Sequence, residues 1–430
     1  MTAADTDRLR ARRVVEALRA GVPSGAAVET LGTGQSELEA RYRAALADAD
    51  RLADQDRQAR GFLVRGGFGS GKSHLLTTFE HIALEEGFAV SRVVISKETP
   101  LHDPAKLLAS AAEAIRSPGS IDRGVGPIAG RLQGRGDDPA LIALRRRLEE
   151  TGELNARFAA SLFIYTAGFR DQELADRVIR FWSGDVLGVS DIRRAARELG
   201  RGGAFTLEPI KKRDLALETL SFLPRLARTA GLRGLVLLVD ELELIGRYSR
   251  LQRGRAYAEL ARWLGALEHD ERPGLLTVAA ISDDFEGEVL RGARTSDLDD
   301  MAVYLSGRDE ATARAAQEGM RLIRQAMRLE PPSDEVLQRT YTALRDLHGA
   351  AYGWRPPEVA WPEALGTTPM RRFVRAWINA WDVRRLYPGF VEGEQPYLVS
   401  EPRVEYREDA NLDGAGDDAR ADEGPRADDW

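Results

Sequence analysis

The sequence contains no cysteine, which excludes disulfides, thiolate nucleophiles and Cys-ligated zinc or iron–sulfur centres. Its five histidines are scattered without the spacing of metal ligands. No apolar run reaches the length of about eighteen residues needed to span a bilayer. The first residues, MTAADTDRLRARR, lack the apolar core of a secretion signal. A soluble cytoplasmic protein with no membrane partner is expected. Lysine is scarce beside arginine; planar guanidinium forks suit phosphate recognition, and a GC-rich coding sequence gives the same bias.

What is present is enough chain, 430 residues, for two or three domains. The formal net charge of −7 is unevenly spread, because residues 401–430 hold eleven acidic and four basic side chains and account for all of it. That stretch also loses hydrophobic periodicity and gains Asp, Gly, Ala and Pro, the composition of a disordered acidic tail.

The stretch FLVRGGFGSGKS, residues 62–73, organises the rest. Phe62, Leu63 and Val64 read as a short buried strand, Gly66–Ser73 fit the pattern G-x-x-x-x-G-K-[ST], and a helix is expected over His74–Glu85. Strand, glycine-rich loop and helix N-terminus together wrap phosphate in backbone N–H groups. The candidate nucleotide-binding set is Gly66, Gly67, Phe68, Gly69, Ser70, Gly71, Lys72, Ser73 and His74. Lys72 supplies a charge for the β and γ phosphates, and the Ser73 hydroxyl is a ligand for Mg²⁺, the one metal expected. A nucleoside triphosphate is the implied ligand.

Residues 8–20 read as an amphipathic helix ended by Gly21-Val22-Pro23, and Gln35–Leu46 as a second. Leu31 and Gly32, in the loop between them, are candidates for the base-binding face or for a plain turn. Phe88–Ser96 reads as a parallel-sheet strand and 104–116 as a crossover helix. Residues 117–215 read as a helical insertion. Its Arg145–Arg147, Arg193–Arg194 and Lys211–Arg213 clusters suit either nucleic acid or solvated helix faces.

LVLLVDE, residues 235–241, is the second decisive stretch. A buried strand delivers Asp240 and Glu241 at its carboxyl end, where open α/β sheets place ligands. Asp240 would hold Mg²⁺ through water and Glu241 would orient the attacking water. LLTVAAI, residues 275–281, is a further strand, with Ser282 or Asp283 at its tip positioned to sense a γ-phosphate or to cap a helix. Arg291 and Arg294 are candidates to reach a neighbouring copy's site in trans. Met301–Leu305 reads as one more strand. Helices are expected over Asp309–Arg328, over Asp334–Leu347 and in MRRFVRAWINAWDVRRL, where Phe373, Trp377 and Trp381 repeat every four residues; the three would form a small lid.

The division expected is therefore 1–46 for N-terminal helices, 47–308 for an α/β core with its insertion, 309–390 for a helical lid and 391–430 for the tail. The ordered motifs resemble an AAA+ ATPase core with a parallel sheet. More closely, RRVVEALRAG, GFLVRGGFGSGKSHLLTTFEHIALEEGF, VVISKETPLHDPAKL and LVLLVDELE resemble the ATP-binding proteins of BREX phage-defence islands, the BrxD-like P-loop family, over most of residues 8–390. The resemblance implies an Mg-ATP-hydrolysing protein akin to origin-recognition-type initiators and helicase loaders, acting on DNA with a partner helicase or other defence protein. It makes Asp240 and Glu241 the Walker B pair and Arg371, in TPMRRF, the lid arginine that touches the γ-phosphate, with Arg372 as the fallback. Initiators of that type usually carry a winged-helix domain after the lid. Too few residues follow here, so DNA contact is expected from the insertion, the lid or a partner. The alternative is a slow nucleotide-dependent switch that binds protein partners and not DNA.

Overall fold

The computed structural model describes residues 3–21, 25–167, 171–292, 296–359, 361 and 368–388. Five strands, Phe62–Gly66 (β1), Ala89–Val94 (β2), Leu235–Asp240 (β3), Leu275–Ser282 (β4) and Met327–Arg328 (β5), form one sheet. Their order is β2-β3-β4-β1-β5, and every pairing is parallel. A parallel sheet covered on both faces needs strands that are apolar throughout, and β3 and β4 are buried at every position. Alternation decides the face. Leu235, Leu237 and Val239 join the larger core with Leu275, Ala279 and Ile281, whereas Val236 and Leu238 join the smaller one with Leu276, Val278 and Ala280.

The helices are Ala3–Ala20 (α1), Gly25–Leu31 (α2), Ser36–Ala53 (α3), Lys72–Glu85 (α4) and Pro104–Ala114 (α5), then α6–α10 at Gly126–Gly130, Pro139–Thr151, Ala156–Thr166, Gln172–Trp182 and Val189–Glu198. Lys212–Thr229 (α11), Arg250–Trp263 (α12), Asp297–Ser306 (α13), Glu310–Arg324 (α14), Asp334–Tyr352 (α15) and Met370–Leu386 (α16) follow. On one face of the sheet α3 and α4 pack through Tyr42 and Phe79, whose rings stack at 4.1 Å. The opposite face carries α5, α11 and α12. The insertion closes around Phe158, Trp182 and Phe222, with Trp182 Nε1 donating to Ser161 Oγ, and it is continuous with the larger core rather than a separate one.

Two expectations are corrected. Met301–Leu305 is not a strand but the middle of α13. Met301 and Leu305 are buried four residues apart while Val303 between them is 76% exposed, which is helical and not alternating periodicity. The fifth strand is instead β5, two residues placed beside β1 where the reading expected the end of a helix.

The grouping of three C-terminal helices also changes. The first of them, α14, packs on α12 and belongs to the larger core, whereas α15 and α16 pack with α1 around Tyr341, Trp377 and Trp381. The stripe Phe373, Trp377, Trp381 is wholly buried there. Residues 391–430 lie outside the described residues, as do Val22, Pro23 and Arg294. Among the described residues no helix is long and apolar enough to cross a membrane.

Candidate functional site

Parallel pairing fixes where the loops after β1 and β3 emerge. Gly66 is in register with Ser282 of β4, and Val239 with Ala279, so the carboxyl ends of three adjacent strands share one edge. With β4 between them, the loop after β1 and the Asp-Glu turn after β3 face each other across its tip. A cavity of about 190 Å³ lies there, lined by Gly67–Leu75, Asp240, Glu241 and Glu243. Its other wall comes from Leu18, Gly21, Leu31, Gly32 and Thr33 at the N-terminus and from Val336, Thr340, Met370, Arg371 and Val374 on α15 and α16. Leu31 and Gly32 therefore stand at the cavity.

The loop is shaped for an anion. Gly71 has φ 107° at the N-cap of α4, a conformation that a side chain would strain, and no side chain caps the helix there. The first-turn N–H groups are left for a ligand. A Cβ on Gly66 would meet Ser70 Oγ at 2.5 Å, and that buried hydroxyl has no hydrogen-bond partner. The Lys72 ammonium is buried and donates to the Gly66 and Gly67 carbonyls at 2.8 and 3.4 Å. An orphaned hydroxyl, open helix donors and a cation folded back on its own loop fit the phosphates of a nucleotide. His74 contacts the Gly32 carbonyl through Nε2 at 2.9 Å, and burial holds its ring below the ordinary histidine range despite that bond. It ties the loop helix to the N-terminal wall.

Across the cleft Asp240 is buried; its Oδ1 accepts from the Glu241 N–H at 3.0 Å and its Oδ2 from Arg92 at 2.7 Å. Arg92 also donates to Thr77 Oγ1 and to the Ser73 carbonyl, at 2.7 and 3.2 Å. One guanidinium on β2 thus fixes α4 and the end of β3 relative to each other. Sequence reasoning missed it, although a lone charge inside the buried strand AVSRVV is a signal in itself. Glu241 adopts the left-handed conformation at φ 55°. For a residue with a Cβ this costs about 1–3 kcal/mol, and the surrounding turn must hold it there. Burial, then the neighbouring Asp240, raises its carboxyl above the usual range, with Lys72 opposing. The 3₁₀ turn Leu242–Arg247 that follows directs Glu243 back toward Lys72.

Arg371 lies at the first turn of α16 with its guanidinium 5.1 Å from the Phe68 ring centre and 3.1 Å from the Gly21 carbonyl. Its neighbour Arg375 is turned to the Arg19 and Ala20 carbonyls. Ser282 is buried beside Gly66 but does not line the cavity. Asp283 faces away to Arg328 and Arg65. Arg291 is paired with Glu286 at 3.3 Å, outside the cavity. Among the described residues no group of three or more His, Asp or Glu is arranged to hold a metal.

The sheet and the loop at the end of β1 put this chain in the α/β P-loop class. Within that class the family model described as BREX system ATP-binding protein BrxC/D matches residues 7–117 and 137–380, and the chain belongs to that family. It is a phage-defence ATP-binding protein. The unmatched stretch between the two segments contains α6. No curated protein and no solved structure matches the chain.

Proposed function

We propose that the chain binds and hydrolyses Mg-ATP as an AAA+ protein of the cytoplasm and acts on DNA with a partner helicase, as its loader or motor accessory. The observation that carries the ATPase reading is the convergence of Lys72, Asp240, Glu241 and Arg371 on one cavity. Lys72 and the first-turn amides of α4 grip the β and γ phosphates; the Ser73 hydroxyl and Asp240 hold Mg²⁺, which when bound neutralises phosphate charge. Glu241 orients the attacking water, and the apolar wall around Leu31 and Val336 receives the base. Arg92 keeps Asp240 and Ser73 at a constant separation. In an oligomer Arg291 or Arg294 would supply transition-state charge in trans.

The alternative, a nucleotide-dependent switch that binds protein partners, is favoured by the insertion. Its arginines are largely neutralised, with Arg145 and Arg201 on Glu149, Arg146 on Glu150, Arg147 on Glu153 and Asp56, and Arg213 on Glu259. ATPase measurement with and without duplex and single-stranded DNA separates the two readings. Stimulation by DNA that falls as salt rises supports the first, and turnover indifferent to DNA supports the second.

Arg371 links the helical unit to the cavity. Its guanidinium rests on Phe68, and the γ-phosphate of ATP is a stronger partner than a ring face. Arg371→Ala is expected to lower turnover about tenfold or more with a smaller loss of ATP affinity. Apo thermal stability should be unchanged. Alanine variants of Arg372 and Arg375 serve as controls, and tryptophan fluorescence of α16 reports ATP-specific movement. A normal ATP response in the Arg371 variant alone would refute the role.

A further inference from the structure

We propose that Glu243 is a latch on Lys72 that the phosphates of the nucleotide must displace, and that it lowers the affinity of the site for ATP more than for ADP. The latch presupposes the nucleotide site proposed above and adds a regulator to it. The Glu243 side chain is 8% exposed, lines the cavity and places Oε1 3.9 Å from Lys72 Nζ. Its Oε2 is buried without a hydrogen-bond partner. An ammonium carries three protons. Two of them go to the Gly66 and Gly67 carbonyls, which leaves the third for the carboxylate or an incoming phosphate.

A buried carboxylate is costly unless a cation compensates it, and Lys72 is the cation that Glu243 faces. Burial raises the Glu243 carboxyl above the usual range, and Lys72 is the largest influence pulling it back. When Lys72 turns its third proton to phosphate, Glu243 loses part of its compensation while new negative charge enters the same cavity. The γ-phosphate brings the most charge closest to Lys72, so the triphosphate suffers more than the diphosphate. The consequence is a site that releases ATP readily until some other contact, such as Arg371 or a partner, secures it.

Calorimetric titration of the full chain with ATP and with ADP, both with Mg²⁺ at neutral pH, tests this in the wild type and in Glu243→Gln. The amide keeps the shape and removes the charge. ATP is expected to bind about fivefold tighter or more, since like charges brought together are unfavourable, with a smaller gain for ADP and no fall in apo melting temperature. Unchanged or weaker ATP binding by a folded Glu243→Gln variant overturns the latch. Should that variant fail to fold, Glu243→Asp, whose shorter carboxylate draws back from Nζ, is expected to tighten ATP in the same direction to a smaller extent, and no tightening there overturns it too. Failure of the wild type to bind either nucleotide would overturn the nucleotide site itself, and the latch with it. A wild type that binds, beside variants that bind alike, overturns the latch alone.

Discussion

Lys72→Ala is expected to weaken ATP binding about a hundredfold or more, and this is the largest single effect on affinity that the site predicts. Hydrogen bonds to charged groups contribute about 1.5–3 kcal/mol each. An ammonium shared between two phosphates therefore accounts for about two to four powers of ten, at about 1.4 kcal/mol for each tenfold step. The structure adds a second reason. Glu243 is 3.9 Å from Nζ, so removing the cation leaves a buried carboxylate facing the phosphates. Lys72→Ala should accordingly lose more affinity than the deleted contacts alone, and Glu243→Gln in that background should restore part of it, a coupling that a double-mutant cycle measures. The fold should survive with a lowered melting temperature, because the hydrogen bonds of Nζ go to its own loop carbonyls while Glu243 loses the cation it faces. Thermal shift gives a direct check: ATP raises the melting temperature of a protein that binds it in the folded state. A Lys72→Ala chain that still shows the wild-type rise would remove the phosphate loop from the mechanism.

What the sequence made legible, and what it hid, follows the range of the interactions involved. Phosphate binding needs glycines, a lysine and a hydroxyl at contiguous positions, so Gly66–Ser73 carry their chemistry openly. Buried parallel strands need unbroken apolar runs, so LVLLVD and LLTVAAIS could be placed by eye. At 301–305 a run of five residues fits either period, and only the burial of Met301 and Leu305 with Val303 exposed selects the helix. The two-residue β5 has no pattern of its own; it is a strand because β1 offers it an edge. Which helices pack together was also invisible, since an apolar stripe names a face and not a partner. Thus α14 went to α12, and α1 packed beside α15, a pairing no stripe announced. Arg92 and Glu243 escaped for the same reason: their partners, Asp240 and Lys72, stand 148 and 171 residues away along the chain.

Glu241→Gln is expected to separate binding from chemistry, preserving ATP affinity within about twofold while lowering turnover by about 10²–10⁴, the usual range for a positioned proton acceptor. The local geometry favours a clean result. The bond from the Glu241 N–H to Asp240 Oδ1 is a backbone donation and persists in the amide. The left-handed backbone at this position is as accessible to glutamine as to glutamate, so the turn that carries Glu243 into the cavity is kept. Asp240 stays paired with Arg92, and Lys72 is untouched. What disappears is one negative charge beside Asp240 at the cavity, together with its capacity to accept a proton from water. Affinity could rise slightly on charge grounds alone, which makes the comparison with Lys72→Ala sharp: one variant should bind and not turn over, the other should not bind. Single-turnover measurement with saturating ATP distinguishes a slowed chemical step from slowed product release. Near-normal single-turnover rates in Glu241→Gln would rule Glu241 out as the water-orienting group. A collapse of the rate in Glu243→Gln alongside them would move that role two residues along the same turn, onto the one other carboxylate of residues 241–243 that lines the cavity.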